Sequence, residues 1–154
     1  MPPVIHDSEK NSELYLTHSF EETFRLAEHI AKDSKAGEVY TLNGELGAGK
    51  TVFAQGFAVG LGIQEPVNSP TFTIMNVYDS GRLPLYHFDL YRLQEEEELY
   101  ELGMEEYLYG SGVCLIEWAS LFPNAFPMPH VNVNIQKTDG EDLNQREIRI
   151  YSEA

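Results

Sequence analysis

Gly44-Glu45-Leu46-Gly47-Ala48-Gly49-Lys50-Thr51 spells G-x-x-x-x-G-K-T, the spacing of a loop that wraps a phosphate chain. The glycines let the backbone curl until successive N–H groups face one polyanion, and a following helix adds its partial positive charge. A lysine at position 50 reaches between β- and γ-phosphates, and the Thr51 hydroxyl is placed to bind Mg²⁺. The chemistry is therefore nucleoside triphosphate binding. Its immediate surroundings agree: residues 38–43 read as a strand entering the loop and residues 51–61 as the helix leaving it, with Gly60 and Gly62 at the expected stop.

A bound metal needs a second acidic ligand, usually where a buried strand ends beside the loop strand. Two runs qualify. Val113-Cys114-Leu115-Ile116 ends in Glu117, and Leu85-Tyr86-His87-Phe88 ends in Asp89. His87 and Asp89 share one face of a strand, and with no other His or Cys close in sequence, packing or hydrogen bonding is favoured for His87 over a metal pair. Trp118 follows Glu117 directly. A lone tryptophan reads first as packing.

The elements that must position these groups follow from periodicity. Residues 14–17 suggest a short strand. Ser19 and Glu22 form a capping box, after which Phe20, Phe24, Ala27, Ile30 and Ala31 mark a helical apolar face. Residues 64–70 make a connecting loop, and residues 71–78 and 83–90 are strand-like around Asp79-Ser80-Gly81-Arg82, a hairpin signal. Residues 94–108 read as one acidic helix with Leu99, Leu102 and Leu108 inward. Residues 112–117 are apolar enough for a strand buried on both faces. Val131, Val133 and Ile135 alternate, as do Ile148 and Ile150, so the chain closes on a hairpin. Together they predict a three-layer α/β fold of the phosphate-loop NTPase kind. Its central sheet is mixed and flanked by helices, parallel at the site, with antiparallel hairpin additions.

The chain of 154 residues has the length of one domain, expected over residues 13–154, with a polar, frayed opening over residues 1–12. With 25 acidic residues against 10 basic ones, the net charge is −15. That surface repels nucleic acid and anionic lipid, so direct RNA or DNA binding by this chain alone is not expected. Cys114 is the single cysteine, which precludes an internal disulfide and reads as a small buried thiol. No secretory leader or membrane-spanning stretch is visible, and a cytoplasmic location is expected.

The loop at 44–51, then Asn68-Ser69-Pro70-Thr71-Phe72, then His87-Phe88-Asp89-Leu90-Tyr91-Arg92-Leu93, then Ile116-Glu117-Trp118-Ala119 stand in the order of the bacterial TsaE (YjeE) family. The resemblance covers about residues 14–151. It implies an ATPase needed for threonylcarbamoyl modification of the adenosine next to the tRNA anticodon, acting on a complex of TsaB and TsaD, with hydrolysis weak in their absence. Carried over by position, Thr51 and Glu117 resemble the Mg²⁺ ligands. Ser69, Pro70, Thr71 and Phe72 look like a switch sensing the γ-phosphate. Asp89 matches an acid important for activity, and Trp118 matches a tryptophan beside the site. Lys50, Asp89 and Glu117 are then the expected catalytic set.

Other function classes share such a loop. A small-molecule kinase would need arginines to clamp the transferred phosphate and a lid, whereas only Arg82 and Arg92 lie near the middle of the chain. A guanine-nucleotide switch would carry Asn-Lys-x-Asp and an Asp three residues before a Gly, and both are absent. A non-catalytic nucleotide-dependent adaptor stays open on residues alone.

Overall fold

Ser19 caps the first helix, accepting a hydrogen bond from the Glu22 N–H at 3.1 Å. The Glu22 carboxylate reaches back to the His18 N–H at 3.2 Å, one residue before the cap. Helix α1, Phe20–Lys32, follows. The computed structural model describes residues 4–7, 12–45, 47–70 and 73–153. Among them the strands are β1 (Val4–Asp7), β2 (Ser12–Thr17), β3 (Val39–Gly44), β4 (Met75–Tyr78), β5 (Leu85–Asp89), β6 (Val113–Glu117), β7 (His130–Lys137) and β8 (Arg146–Glu153). The remaining helices are α2 (Lys50–Gly60), α3 (Glu97–Glu101) and α4 (Met104–Leu108).

All eight strands form one mixed sheet in the order β1-β2-β8-β7-β3-β6-β5-β4. The centre is parallel, since β3 pairs with both β7 and β6, and β6 pairs with β5. Antiparallel pairs extend it on both sides. Both expected hairpins are present. The fully buried β6 alternates its side chains between two cores. Val113 and Leu115 join the cluster under α1 and α2, whereas Cys114 and Ile116 join the one with Leu99, Met104 and Leu108 from α3 and α4. Helices thus flank the sheet on both faces. Cys114 is buried, with its thiol pushed up to about 12 by burial, in keeping with a packing residue.

Helices α1 and α2 approach closely because α2 carries glycine where they cross. A Cβ on Gly56 would stand 2.2 Å from the Phe24 carbonyl oxygen, so no side chain fits there. Three expectations need correction. Val4–Asp7, within the stretch expected to fray, pairs antiparallel with β2 from Val4↔Tyr15 to Asp7↔Ser12; an open sheet edge supplies the backbone partners that composition does not reveal. Residues 1–3 and 8–11 lie outside the described residues. The acidic helix over 94–108 is two short helices, broken at Gly103 with φ +71; Leu99 and Leu108 are buried as expected, and Leu102 is partly so. On α1, Thr23, Leu26, Ala27 and Ala31 are buried, but Phe20 is 50% exposed. The helix's first turn projects past the core.

Candidate functional site

Strands β3, β5 and β6 run parallel, so their C-terminal ends lie side by side at one edge of the sheet. Ligands of open α/β sheets collect at that edge. The strand β3 ends in Gly44, where a Cβ would sit 2.7 Å from the Ile135 carbonyl oxygen of β7. The chain then turns through Gly47 and Gly49, at φ +81 and +114, into α2. Side chains other than glycine are strained in that region. Gly49 has nothing within 4 Å of where its Cβ would be, which leaves a concave backbone surface at the helix N-terminus. Leu46 lies outside the described residues.

Lys50, the first residue of α2, aims its ammonium at the end of β6. Its Nζ is 4.0 Å from Glu117 Oε1 and 4.6 Å from the centre of the Trp118 ring. Thr51 Oγ1 lies 3.2 Å from Ser69 Oγ, so the first turn of α2 meets the segment around 69. Pro70 is buried beside it; Thr71 and Phe72 lie outside the described residues. In the β5–β6 pairing Asp89 is opposite Glu117. Two carboxylates therefore face one lysine across adjacent strand ends.

The surroundings fix these acids differently. Glu117 is buried, and its Oε2 lies 2.8 Å from His87 Nε2, a hydrogen bond across the two strands. Asp89 Oδ1 accepts the Tyr91 N–H at 3.1 Å. Partial burial holds the Asp89 carboxyl above the ordinary carboxylate range; the Tyr91 N–H opposes this, the charge of Glu117 adds to it, and His87 and Lys50 also oppose. Trp118 adopts a left-handed backbone at φ 64, and the Tyr91 ring packs against it at 5.0 Å.

An open cleft of about 680 Å³ joins these groups, with Gly47, Gly49, Lys50, Thr51, Ser69, Asp89, Glu117 and Trp118 all in its lining. Phe20, Val52 and Tyr91 complete the wall, and sequence reading did not place them there. The Phe20 ring lies 5.7 Å from the guanidinium of buried Arg146, whose Nε donates to the Ala48 carbonyl of the loop at 2.9 Å. The signal for Arg146 was available: it takes the core-facing place, two residues before Ile148, in an alternating strand. Arg82, by contrast, donates to the Ala31 and Ser34 carbonyls at the end of α1 and does not line the cleft.

Residues 17–148 match the family described as Threonylcarbamoyl adenosine biosynthesis protein TsaE. Over 128 residues the chain is 51% identical to the tRNA threonylcarbamoyladenosine biosynthesis protein TsaE of Bacillus subtilis (strain 168), covering 83% of this chain and 78% of that one. Its identity with the protein of the same description from Treponema pallidum (strain Nichols) is 42% over 121 residues, 79% of this chain and 89% of the other. The crystal structure of Bacillus subtilis YdiB aligns with a TM-score of 0.77 at 40% identity, over 96% of this chain and 86% of that one. A match over most of the length, in sequence and in structure alike, means that the chain belongs to the TsaE family.

Proposed function

We propose that this chain binds ATP with Mg²⁺ and hydrolyses it in the cytoplasm. Its turnover would serve the threonylcarbamoyl modification of tRNA adenosine next to the anticodon, through an assembly of TsaB- and TsaD-type proteins. The observation that carries the reading is the convergence of Lys50, Thr51, Ser69, Asp89 and Glu117 on one cleft. The pathway is supported by what the relatives are called.

In this reading Lys50 and the loop amides from Gly44 through Glu45, Leu46, Gly47, Ala48 and Gly49 to Thr51 hold the phosphates. Thr51, Ser69, Asp89 and Glu117 present hydroxyl and carboxylate oxygens, the hard donors that Mg²⁺ takes. No group of three or more His, Cys, Asp or Glu able to hold a metal occurs among the described residues. Mg²⁺ usually keeps several waters and is held by one or two protein ligands together with substrate phosphates. Thr51 and Glu117 would hold it, and bound there it would neutralise charge on the β- and γ-phosphates. His87 orients the Glu117 carboxylate. Asp89, its carboxyl raised by burial, is assigned the attacking water. The segment from Ser69 and Pro70 to Thr71 and Phe72 is assigned the sensing of the γ-phosphate, and Trp118 supports Lys50 through its ring face.

A kinase is less well supported, because Lys50 is the only Lys or Arg lining the cleft among the described residues. No helix of the described residues is long and apolar enough to cross a membrane. The test is phosphate release from ATP and GTP with Mg²⁺, with and without TsaB- and TsaD-type proteins and tRNA. The expected result is ATP-selective release that rises with the partners. Absence of nucleotide binding, or phosphate transfer to a small molecule in place of water, would overturn the reading.

A further inference from the structure

Ser69 meets Thr51 at 3.2 Å, and the residue before it is held from outside the segment. The support comes from the edge strand β4. Tyr78, buried in the core under α1 and α2, uses its hydroxyl twice on one residue. It accepts the Asn68 N–H at 3.2 Å and donates to the Asn68 carbonyl, also at 3.2 Å. Asn76, two residues earlier on the same face of β4, donates its amide to that carbonyl at 3.2 Å and to the Tyr78 hydroxyl at 3.3 Å. The Asn76 Oδ1 accepts from the Thr73 hydroxyl at 3.1 Å. The residue before Ser69 and the residue after position 72 are thus fastened to one two-residue clamp.

The clamp also reaches Asp89. Ile74 lies between Thr73 and β4 with φ +65, a conformation that a β-branched residue adopts only when its surroundings impose it. Its carbonyl accepts the Asp89 N–H at 2.8 Å, one step beyond the Met75↔Phe88 pair of the ladder. We infer that Asn76 and Tyr78 are positioning residues that set Ser69 against Thr51 and, through Ile74, tie that placement to the backbone of Asp89. Resting on the ATP reading above, the clamp makes the γ-phosphate contact and the hydrolytic carboxylate respond together.

The test uses Tyr78→Phe, which deletes one buried hydroxyl and keeps the ring, together with Asn76→Ala and the polar Asn76→Gln. In the nucleotide-free protein, Tyr78→Phe should speed amide hydrogen exchange at Asn68 and Asp89 by tenfold or more, with the amides of β3 and β6 unchanged. With nucleotide, ADP affinity should stay within twofold of the parent. The preference for ATP over ADP and kcat should each fall about tenfold, and Asn76→Gln should recover part of what Asn76→Ala loses. Exchange at Asp89 that matches the parent would overturn the inference. So would ATP and ADP affinities that fall together with the melting temperature, since that marks a structural residue only. A parent protein that binds neither nucleotide fails the ATP reading, while the exchange measurement still decides whether the clamp exists.

Discussion

His87 Nε2 stands 2.8 Å from Glu117 Oε2, and the other oxygen of that carboxylate lies 4.0 Å from Lys50 Nζ. One buried acid therefore joins a histidine of the neighbouring strand to the lysine of the loop. Among the described residues the ring's Nδ1 has no hydrogen-bond partner. An ionised carboxylate only accepts, so Nε2 carries a proton and donates it to Glu117. The bond sets the angle at which Glu117 faces the cleft.

Replacing His87 by Leu should free that carboxylate without removing it. Partners that orient a metal ligand typically contribute about 10–100-fold in affinity or activity. The half-saturating Mg²⁺ concentration for ATP hydrolysis should rise by about that factor, with affinity for metal-free nucleotide nearly unchanged. A parallel loss of both would place His87 in packing alone. Glu117→Ala should act in the same direction and more strongly.

Lys50→Ala should abolish tight nucleotide binding while leaving the fold intact. A charge-assisted contact of this kind contributes about 2–3 kcal/mol, on the order of 30–150-fold in affinity at room temperature. The single tryptophan of the chain lies 4.6 Å below the ammonium. Its fluorescence should respond to ATP in the parent and not in the variant. Calorimetric ATP affinity matching the parent would refute the role of the loop lysine.

Asp89→Asn should separate activity from stability. With its folded-state pKa raised above the unfolded value, chiefly by burial, Asp89 contributes stability that is fully present below the unfolded pKa. That contribution is lost as pH rises through the folded pKa. Asn keeps an oxygen for the Tyr91 N–H and carries no charge. The variant should melt higher than the parent at about pH 7, with the difference shrinking as pH falls into the carboxylate range. Its ATP affinity should stay close to the parent's and its turnover should drop by about 100-fold or more, because Asn cannot accept a proton. Loss of binding with turnover preserved at saturating ATP would move Asp89 to the metal shell.

What composition and spacing make legible is local. Lys50 and Thr51 are fixed within one eight-residue pattern, and Glu117 and Asp89 show as acids closing apolar strands. The contact between His87 and Glu117 spans 30 positions and exists because β6 inserts between β3 and β5, an order that no local signal encodes. Phe20 fits the helical period and still lines the cleft, because period reports a face and not how far the core extends along it. The break at Gly103 is invisible to a count of acidic helix formers, although the glycine itself marks it.

Gly56→Ala should destabilise the fold without touching the cleft. The added Cβ would meet the Phe24 carbonyl oxygen at 2.2 Å, a backbone atom that cannot turn aside, so α1 and α2 must separate. Overpacking of this sort costs about 1–3 kcal/mol, which for a chain of this size lowers the melting temperature by several degrees, as read by calorimetry. A higher melting temperature, from the better helix propensity of alanine, would show that the helices have slack between them.

Charge sets the last expectation. With a net charge of −15 and one lysine in the cleft, this chain has little with which to neutralise RNA phosphates, the main source of nonspecific affinity. It should bind tRNA no tighter than millimolar at physiological salt, and its effect on tRNA would have to pass through another protein. The face carrying α3 and α4 supports a partner of complementary charge: Glu97, Glu101, Glu105 and Glu106 are exposed there, and the Tyr100 and Tyr109 rings are 58% and 68% exposed. Aromatic anchors within an acidic rim suit a basic, partly apolar surface. Association with TsaB- and TsaD-type proteins should depend on ATP and weaken as salt rises, because rim charges are screened beyond about 8 Å at physiological ionic strength. Light scattering of the three proteins with ATP, ADP or no nucleotide, across a salt series, measures both. Micromolar tRNA binding by this chain alone, or an assembly indifferent to nucleotide, would count against the scheme.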